Sequence, residues 1–226
     1  MKNFSLRHIV ENKYSHLLTS IIVLFLIAPF IGKYNAVFPI IHLLLFLVII
    51  LTLRILKVSR VVYILVILLG CSAVILEYMM DVGFLPKTDS NMLAILVLTY
   101  VLFIGAAIFF LVKNIFSEKR ITSDSIKGGI SIYLLMGFWW VFLYYLVIAL
   151  NPNAIISTLG EKLDLVRLYQ FSFSTLTTVG YGNTVPKSEL AVTMANFEAV
   201  AGQIYLTVFI ARLVGMQLVA KSKTGK

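Results

Sequence analysis

Residues 172–186 gather groups that can handle an ion without any side-chain charge. Ser172, Ser174, Thr175, Thr177 and Thr178 supply hydroxyls; Val179, Gly180, Tyr181 and Gly182 complete the run Thr178-Val179-Gly180-Tyr181-Gly182, and Asn183, Thr184, Val185 and Pro186 follow. A line of backbone carbonyls can replace the hydration shell of a cation. An ordinary strand sends successive carbonyls to opposite sides. Aiming them one way requires alternate residues to leave the usual dihedral wells. Glycine takes positive φ at little steric cost, and Gly180 and Gly182 fall at alternate positions. Backbone of this kind is tolerated at membrane depth only where protein or a water-filled path encloses it.

The elements around the run must therefore be membrane elements, and the composition agrees. The chain has 226 residues, 60% apolar and 13% charged. A soluble domain of this size could not hide so much apolar side chain, because much of its surface must meet water. Disorder is excluded by the same hydrophobicity, with only 13 Gly and 5 Pro. Six long apolar segments are read at 17–32, 36–56, 61–80, 92–112, 129–150 and 190–219. Most approach the roughly 20 residues that a helix needs to cross the hydrocarbon layer. A seventh, shorter helix is expected over 165–177, with Asp164 as its N-cap. Twelve or so residues give only about 18 Å, too short to cross. No period-two alternation points to a barrel. The fold class is thus an all-α membrane protein with six transmembrane helices and one re-entrant helix and loop.

Net charge is +9, from 19 Lys and Arg against 10 Asp and Glu. With the N-terminus inside, 14 of the 19 basic residues lie on the cytoplasmic side and 5 outside, which places both termini in the cytoplasm. The charge is then an orientation label and predicts no nucleic-acid partner. The basic tail, Lys221 to Lys226, is expected to signal topology, with contact to anionic lipid at the cytoplasmic face as the functional alternative.

The order short helix, Thr177-Thr178-Val179-Gly180-Tyr181-Gly182, then a long span resembles the potassium-channel family closely. The resemblance covers residues 129–219. It implies an outer helix at 129–150, a pore helix at 165–177, a selectivity filter at 178–182 and an inner helix at 190–219. By position it makes the carbonyls of Thr178, Val179, Gly180 and Tyr181, with the Thr178 hydroxyl, the potassium ligands. Thr177, Ser174 and Asn183 become filter support, Gly202 the inner-helix hinge and Gln203 a cavity-lining residue; Leu206 and Ile210 continue that face at helical spacing, with plain helix packing as the alternative. The stretches Glu198-Ala199-Val200-Ala201-Gly202-Gln203 and Ala211-Arg212-Leu213-Val214-Gly215 look like a bacterial subgroup, implying a cell (inner) membrane location. Two positions depart from the family: Asn183 stands where Asp is usual after the filter, and Ser174 where many simple bacterial members carry a pore-helix Glu. The acid pair that braces the filter in those members is missing, so other hydrogen bonds must hold Tyr181 and its neighbours.

The remaining parts divide into a cytoplasmic N-terminus (1–16), a four-helix membrane domain (17–115), a cytoplasmic linker (116–128), the pore domain (129–219) and the basic tail (220–226). Arg54, Lys57 and Arg60 repeat every three residues, yet they fall in a loop between spans. The fourth span, Asn91 to Val112, holds no Lys or Arg, so nothing there can move charge through the field. Glu198 inside the last span is read as a pore-helix brace or a cavity charge on one side, and as a hydrogen-bonded packing residue on the other. Trp139, Trp140, His42 and the lone Cys71 read as packing residues.

The resulting expectation is a passive potassium-selective channel, not an enzyme, without steep voltage gating. It needs no cofactor, and potassium is the transported ion. A dehydrated potassium ion wants about eight oxygens, so one loop per chain calls for a homotetramer in the lipid bilayer. The rivals are a voltage-gated potassium channel, a potassium uptake transporter subunit and a structural subunit with a dead pore. Gating current without a charged fourth span would favour the first.

Overall fold

The computed structural model describes residues 13–31, 46, 47, 49, 50, 53, 58–86, 90–118 and 122–224. Expectations for the N-terminus before residue 13, most of the second span, His42, Arg54, Lys57 and the last two tail residues lie outside the described residues.

Among the described residues the bounded elements follow in this order: α1 (Lys13–Ile31), α2 (Arg60–Val82), α3 (Ser90–Ser117), α4 (Ser123–Leu150), β1 (Ile155–Ser157), α5 (Leu165–Leu176), β2 (Thr184–Pro186) and α6 (Glu189–Thr224). Among the described residues α2, α3, α4 and α6 are long and apolar enough to cross a membrane, while the apolar stretch of α1 runs only over Tyr14–Ile27. The chain is an integral membrane protein by these helices.

Local chemistry sets the boundaries. The Thr122 side chain accepts from Ser125 N–H and the Ser125 hydroxyl accepts from Thr122 N–H, a reciprocal cap that starts α4 at Ser123. The linker expected up to residue 128 is correspondingly shorter. Helix α2 stops where Gly83 takes φ +88. Helix α6 is longer than expected, running to Thr224 and taking in part of the basic tail.

Helix α4 is the hub, packing against α1, α3, α5 and α6. In lipid, apolar surface gives helices little reason to associate, so close packing and hydrogen bonds must hold them. Both are present. Trp139 Nε1–H donates to Val101 O (2.8 Å), joining α4 to α3, and Gly105 makes room for that indole. Tyr14 N–H donates to Asp124 Oδ1 (3.1 Å) and Tyr14 OH to Asn114 Oδ1 (2.8 Å), tying the start of α1 to α4 and α3. Glu77 on α2, a buried acid the sequence reading passed over, takes a hydrogen bond from Tyr100 OH on α3. Tyr100 in turn stacks on Phe142 of α4 at 5.1 Å.

Candidate functional site

The site grows from α5. Asp164 caps it by accepting from Arg167 N–H (2.9 Å). The helix has 12 residues and ends at Leu176, with Thr177 as its cap. Its buried face, Leu168, Tyr169, Phe171, Ser172, Phe173, Ser174 and Leu176, is wedged among aromatic rings. Phe173 meets Phe25 of α1 at 4.9 Å and Phe138 of α4 at 5.4 Å, both edge-on. Tyr169 OH donates to Phe25 O (2.9 Å), so α1 also touches this short helix. Phe171 lies edge-on to Tyr144 at 4.9 Å.

Just past α5 the chain turns back onto Ser174. Thr178 N–H donates to Thr175 O (2.9 Å). Val179 N–H and Gly180 N–H both donate to Ser174 O (2.8 and 3.2 Å). Tyr181 N–H donates to Ser174 Oγ (3.1 Å). Four consecutive amides thus point into the fold. Among the described residues no donor reaches the carbonyls of Thr178, Val179, Gly180 and Tyr181. Positive φ recurs at every second residue: Thr178 at 61°, Gly180 at 63° and Gly182 at 75°. The glycines were legible for this in the sequence; Thr178 was not. A left-handed threonine costs about 1–2 kcal/mol, so the surrounding bonds must hold it there. The C-terminal end of α5, with its partial negative charge, adjoins the run and favours a cation.

Beyond the run, Thr184–Pro186 pairs antiparallel with Ile155–Ser157 in the register Ile155↔Pro186, Ile156↔Val185, Ser157↔Thr184. Thr158 N–H donates to Asn183 O (3.0 Å). The Thr158 hydroxyl lies 3.0 Å from Gly182 O and 3.2 Å from Asn183 O. Neither the strand nor Thr158 was singled out from sequence. The β-branched stretch Ile155-Ile156-Ser157-Thr158 was the signal available.

Behind the run, Glu198 is fully buried. Tyr144 OH of α4 donates to Glu198 Oε2 (2.6 Å). The Ser172 hydroxyl of α5 lies 2.6 Å from Glu198 Oε1 and 2.8 Å from Gly137 O of α4. The carboxyl group therefore joins α4, α5 and α6, and within the chain it faces neighbouring helices. Gly202 is buried beside Leu176: a Cβ there would stand 2.6 Å from Leu176 O. Glycine at this position permits the close approach of α6 to the end of α5, and α6 runs on through it as helix. Tyr133 OH of α4 donates to that same Leu176 carbonyl (3.2 Å). Gln203 and Ile210 are exposed and Leu206 half-buried in the chain. At the far end of α6, Arg212 Nη2–H donates to Glu118 O (2.8 Å) and the guanidinium lies 4.7 Å from the Phe116 ring centre.

Residues 127–217 match the family model described as "Ion channel". That interval nearly coincides with the 129–219 stretch singled out from sequence and takes in α5, the 178–182 run and most of α6. Neither the curated proteins nor the solved structures compared with the chain gave a match. Over residues 127–217 this membrane protein is similar to an ion-channel domain.

Proposed function

We propose that four copies of the chain assemble around an axis into a channel that passes potassium passively and rejects sodium. In this reading residues 178–182 are the selectivity filter, α5 is a re-entrant pore helix, α4 the outer helix and α6 the inner helix. One observation carries it. The amides of Thr178, Val179, Gly180 and Tyr181 are all engaged by Thr175 and Ser174, while their carbonyls meet no donor among the described residues. The alternation of positive φ turns successive peptide planes the same way, which lines up those carbonyls as ligands.

The mechanism follows from that row. A hydrated potassium ion enters between the α6 helices, sheds water against the Thr178 hydroxyls, and moves in single file past Val179, Gly180 and Tyr181. Repulsion between neighbouring ions keeps exit fast. One chain offers one carbonyl per layer, so four chains supply about eight oxygens between two layers.

The surface of α6 supports assembly. Only 11% of its most apolar stretch is buried within the chain, against 50% for α4. Its exposed residues include Asn196, Gln203 and Thr207. Polar groups of this kind are costly against lipid and fit a neighbouring chain or a water-filled cavity. Gly202 keeps its hinge role in this proposal, with the approach to Leu176 as the contact that bending would alter. The charge-free fourth span supports a channel that is not steeply voltage-gated. The bias of basic residues supports cytoplasmic termini, and the α6 sequence a bacterial inner membrane.

The test is cation efflux from liposomes holding the purified protein. Potassium is expected to leave far faster than sodium or lithium. Equal rates for potassium and sodium would overturn the proposal.

A further inference from the structure

We infer that Thr158, on the loop between α4 and α5, is a positioning residue that sets the outer end of the filter by fixing the peptide groups of Gly182 and Asn183. The inference rests on the filter reading above and goes beyond it, because it assigns to this loop the bracing that the missing acid pair would otherwise supply.

The argument starts from the carbonyl row. Among the described residues the carbonyls of residues 178–181 meet no donor, but the next two do. Gly182 O lies 3.0 Å from the Thr158 hydroxyl, and Asn183 O accepts from Thr158 N–H at 3.0 Å, with the hydroxyl at 3.2 Å and the Ser157 hydroxyl at 3.5 Å. The row of free carbonyls therefore stops at Tyr181, and Thr158 binds the next one, Gly182 O. Gly182 stands at φ +75, and within the chain nothing lies within 4 Å of where a Cβ would sit, so no contact on that side holds its orientation. Hydrogen bonding must.

Thr158 is itself held. It directly follows β1, whose three residues pair with Thr184–Pro186. Ala154 O accepts from Lys187 N–H (2.8 Å) and Ser188 N–H (3.1 Å), closing the far end of the hairpin. Ala154 and Ile155 are buried, which anchors the strand in the core. The loop is also tied at its second root, where Glu161 pairs with Arg167 and Asp164 caps α5. A rigid strand thus presents one hydroxyl to the last peptide of the filter. Without it, the Gly182 carbonyl has no donor and only the backbone bond from Thr158 N–H to Asn183 O steadies this end of the run, so the Tyr181 carbonyl before it is held less firmly.

The test compares Thr158→Val and Thr158→Ser with the unmodified tetramer in planar bilayers. The current during sustained conduction is followed, with thermal stability of the tetramer measured alongside. Loss of one hydrogen bond of ordinary strength predicts a decline of current about fivefold faster in Thr158→Val. Thr158→Ser is expected within about twofold of the unmodified rate, since it keeps the donor, with thermal stability nearly equal in all three. Thr158 is exposed, so valine is compatible with folding. Should Thr158→Val tetramers not form, Thr158→Ala removes the hydroxyl without a bulkier side chain and is read the same way. A hydroxyl-free variant that conducts as steadily as the unmodified protein overturns the inference, as does a Thr158→Ser variant that declines as fast as valine. If the unmodified tetramer carried sodium and potassium alike, the potassium reading would fall, while the decline of that current would still decide the role of Thr158.

Discussion

Gly180→Ala is expected to abolish potassium flux while leaving the helices folded. Gly180 stands at φ +63, and the position of its missing Cβ meets nothing within 4 Å in the chain. The alanine would therefore cause no clash within the chain; the cost is in the backbone. An L-residue in the left-handed region loses about 1–2 kcal/mol, and in the proposed tetramer four copies would raise this to about 4–8 kcal/mol. The chain relieves that strain by returning residue 180 to negative φ, which rotates its peptide and takes a carbonyl out of the row. At about 1.4 kcal/mol per factor of ten, flux should drop by at least a hundredfold. Thr178 already bears the same kind of strain at φ 61, which leaves little room for a second such residue two positions on. Liposome efflux measures the loss, and circular dichroism shows whether the helices persist. Efflux within about twofold of the unmodified protein would mean that the alternation of φ has no bearing on conduction.

The second large effect concerns Glu198. Its carboxyl group accepts from Tyr144 OH of α4 and meets the Ser172 hydroxyl of α5, both side chains fully buried. Glu198→Ala removes the acceptor from Tyr144 and leaves a void between three helices. An orphaned buried hydroxyl costs about 1–3 kcal/mol and the void adds to it, for about 3–5 kcal/mol per chain. Because α5 carries the 178–182 run, the loss should appear both as a lower unfolding temperature and, in the proposed channel, as a current that is no longer steady. Glu198→Gln should cost only about 1 kcal/mol. Its amide oxygen still accepts from Tyr144, and its N–H can donate to Ser172, whose single proton then serves Gly137 O. Thermal unfolding of the three proteins in detergent decides the matter. Equal stability of the alanine variant and the unmodified protein would show that the three-helix junction does not depend on the carboxyl group.

What the sequence revealed and what it hid divide along physical lines. Helix α5 was legible because its signals are local: an Asp at the cap, a length too short to span, and hydroxyls crowding the far end. The glycine spacing was legible for the same reason, since only glycine takes positive φ cheaply. Thr178 at φ 61 was not, because nothing in a threonine announces left-handed backbone; the bonds from Ser174 and Thr175 impose it. By resemblance Ser174 is filter support standing where an acid is usual, with no partner atoms named for it. That its carbonyl and its hydroxyl together receive three consecutive amides depends on how the chain turns, which no residue type encodes.

Partners far apart in the chain were the least legible. Thr158 precedes Gly182 by 24 residues, and Tyr144 precedes Glu198 by 54. Glu198 reads from sequence as a brace, a cavity charge or a packing residue, and its partners Tyr144 and Ser172 lie on other helices, where no local signal points to them. The resemblance makes Gly202 a hinge, and the structure adds a contact reason for glycine there, the Leu176 carbonyl that a Cβ would strike. Helix boundaries shifted where caps decide them. The reciprocal Thr122–Ser125 cap lengthened α4 at the expense of the linker, and a polar pair of that kind does not register in an apolar-span count.

The central claim, that residues 178–182 of four chains select potassium, is tested most directly by the reversal potential of the purified channel in a planar bilayer with potassium on one side and equimolar sodium on the other. Each tenfold preference for potassium moves that potential by about 59 mV. The account predicts a displacement beyond about 100 mV in the direction of potassium flow. A current that reverses near zero would contradict it.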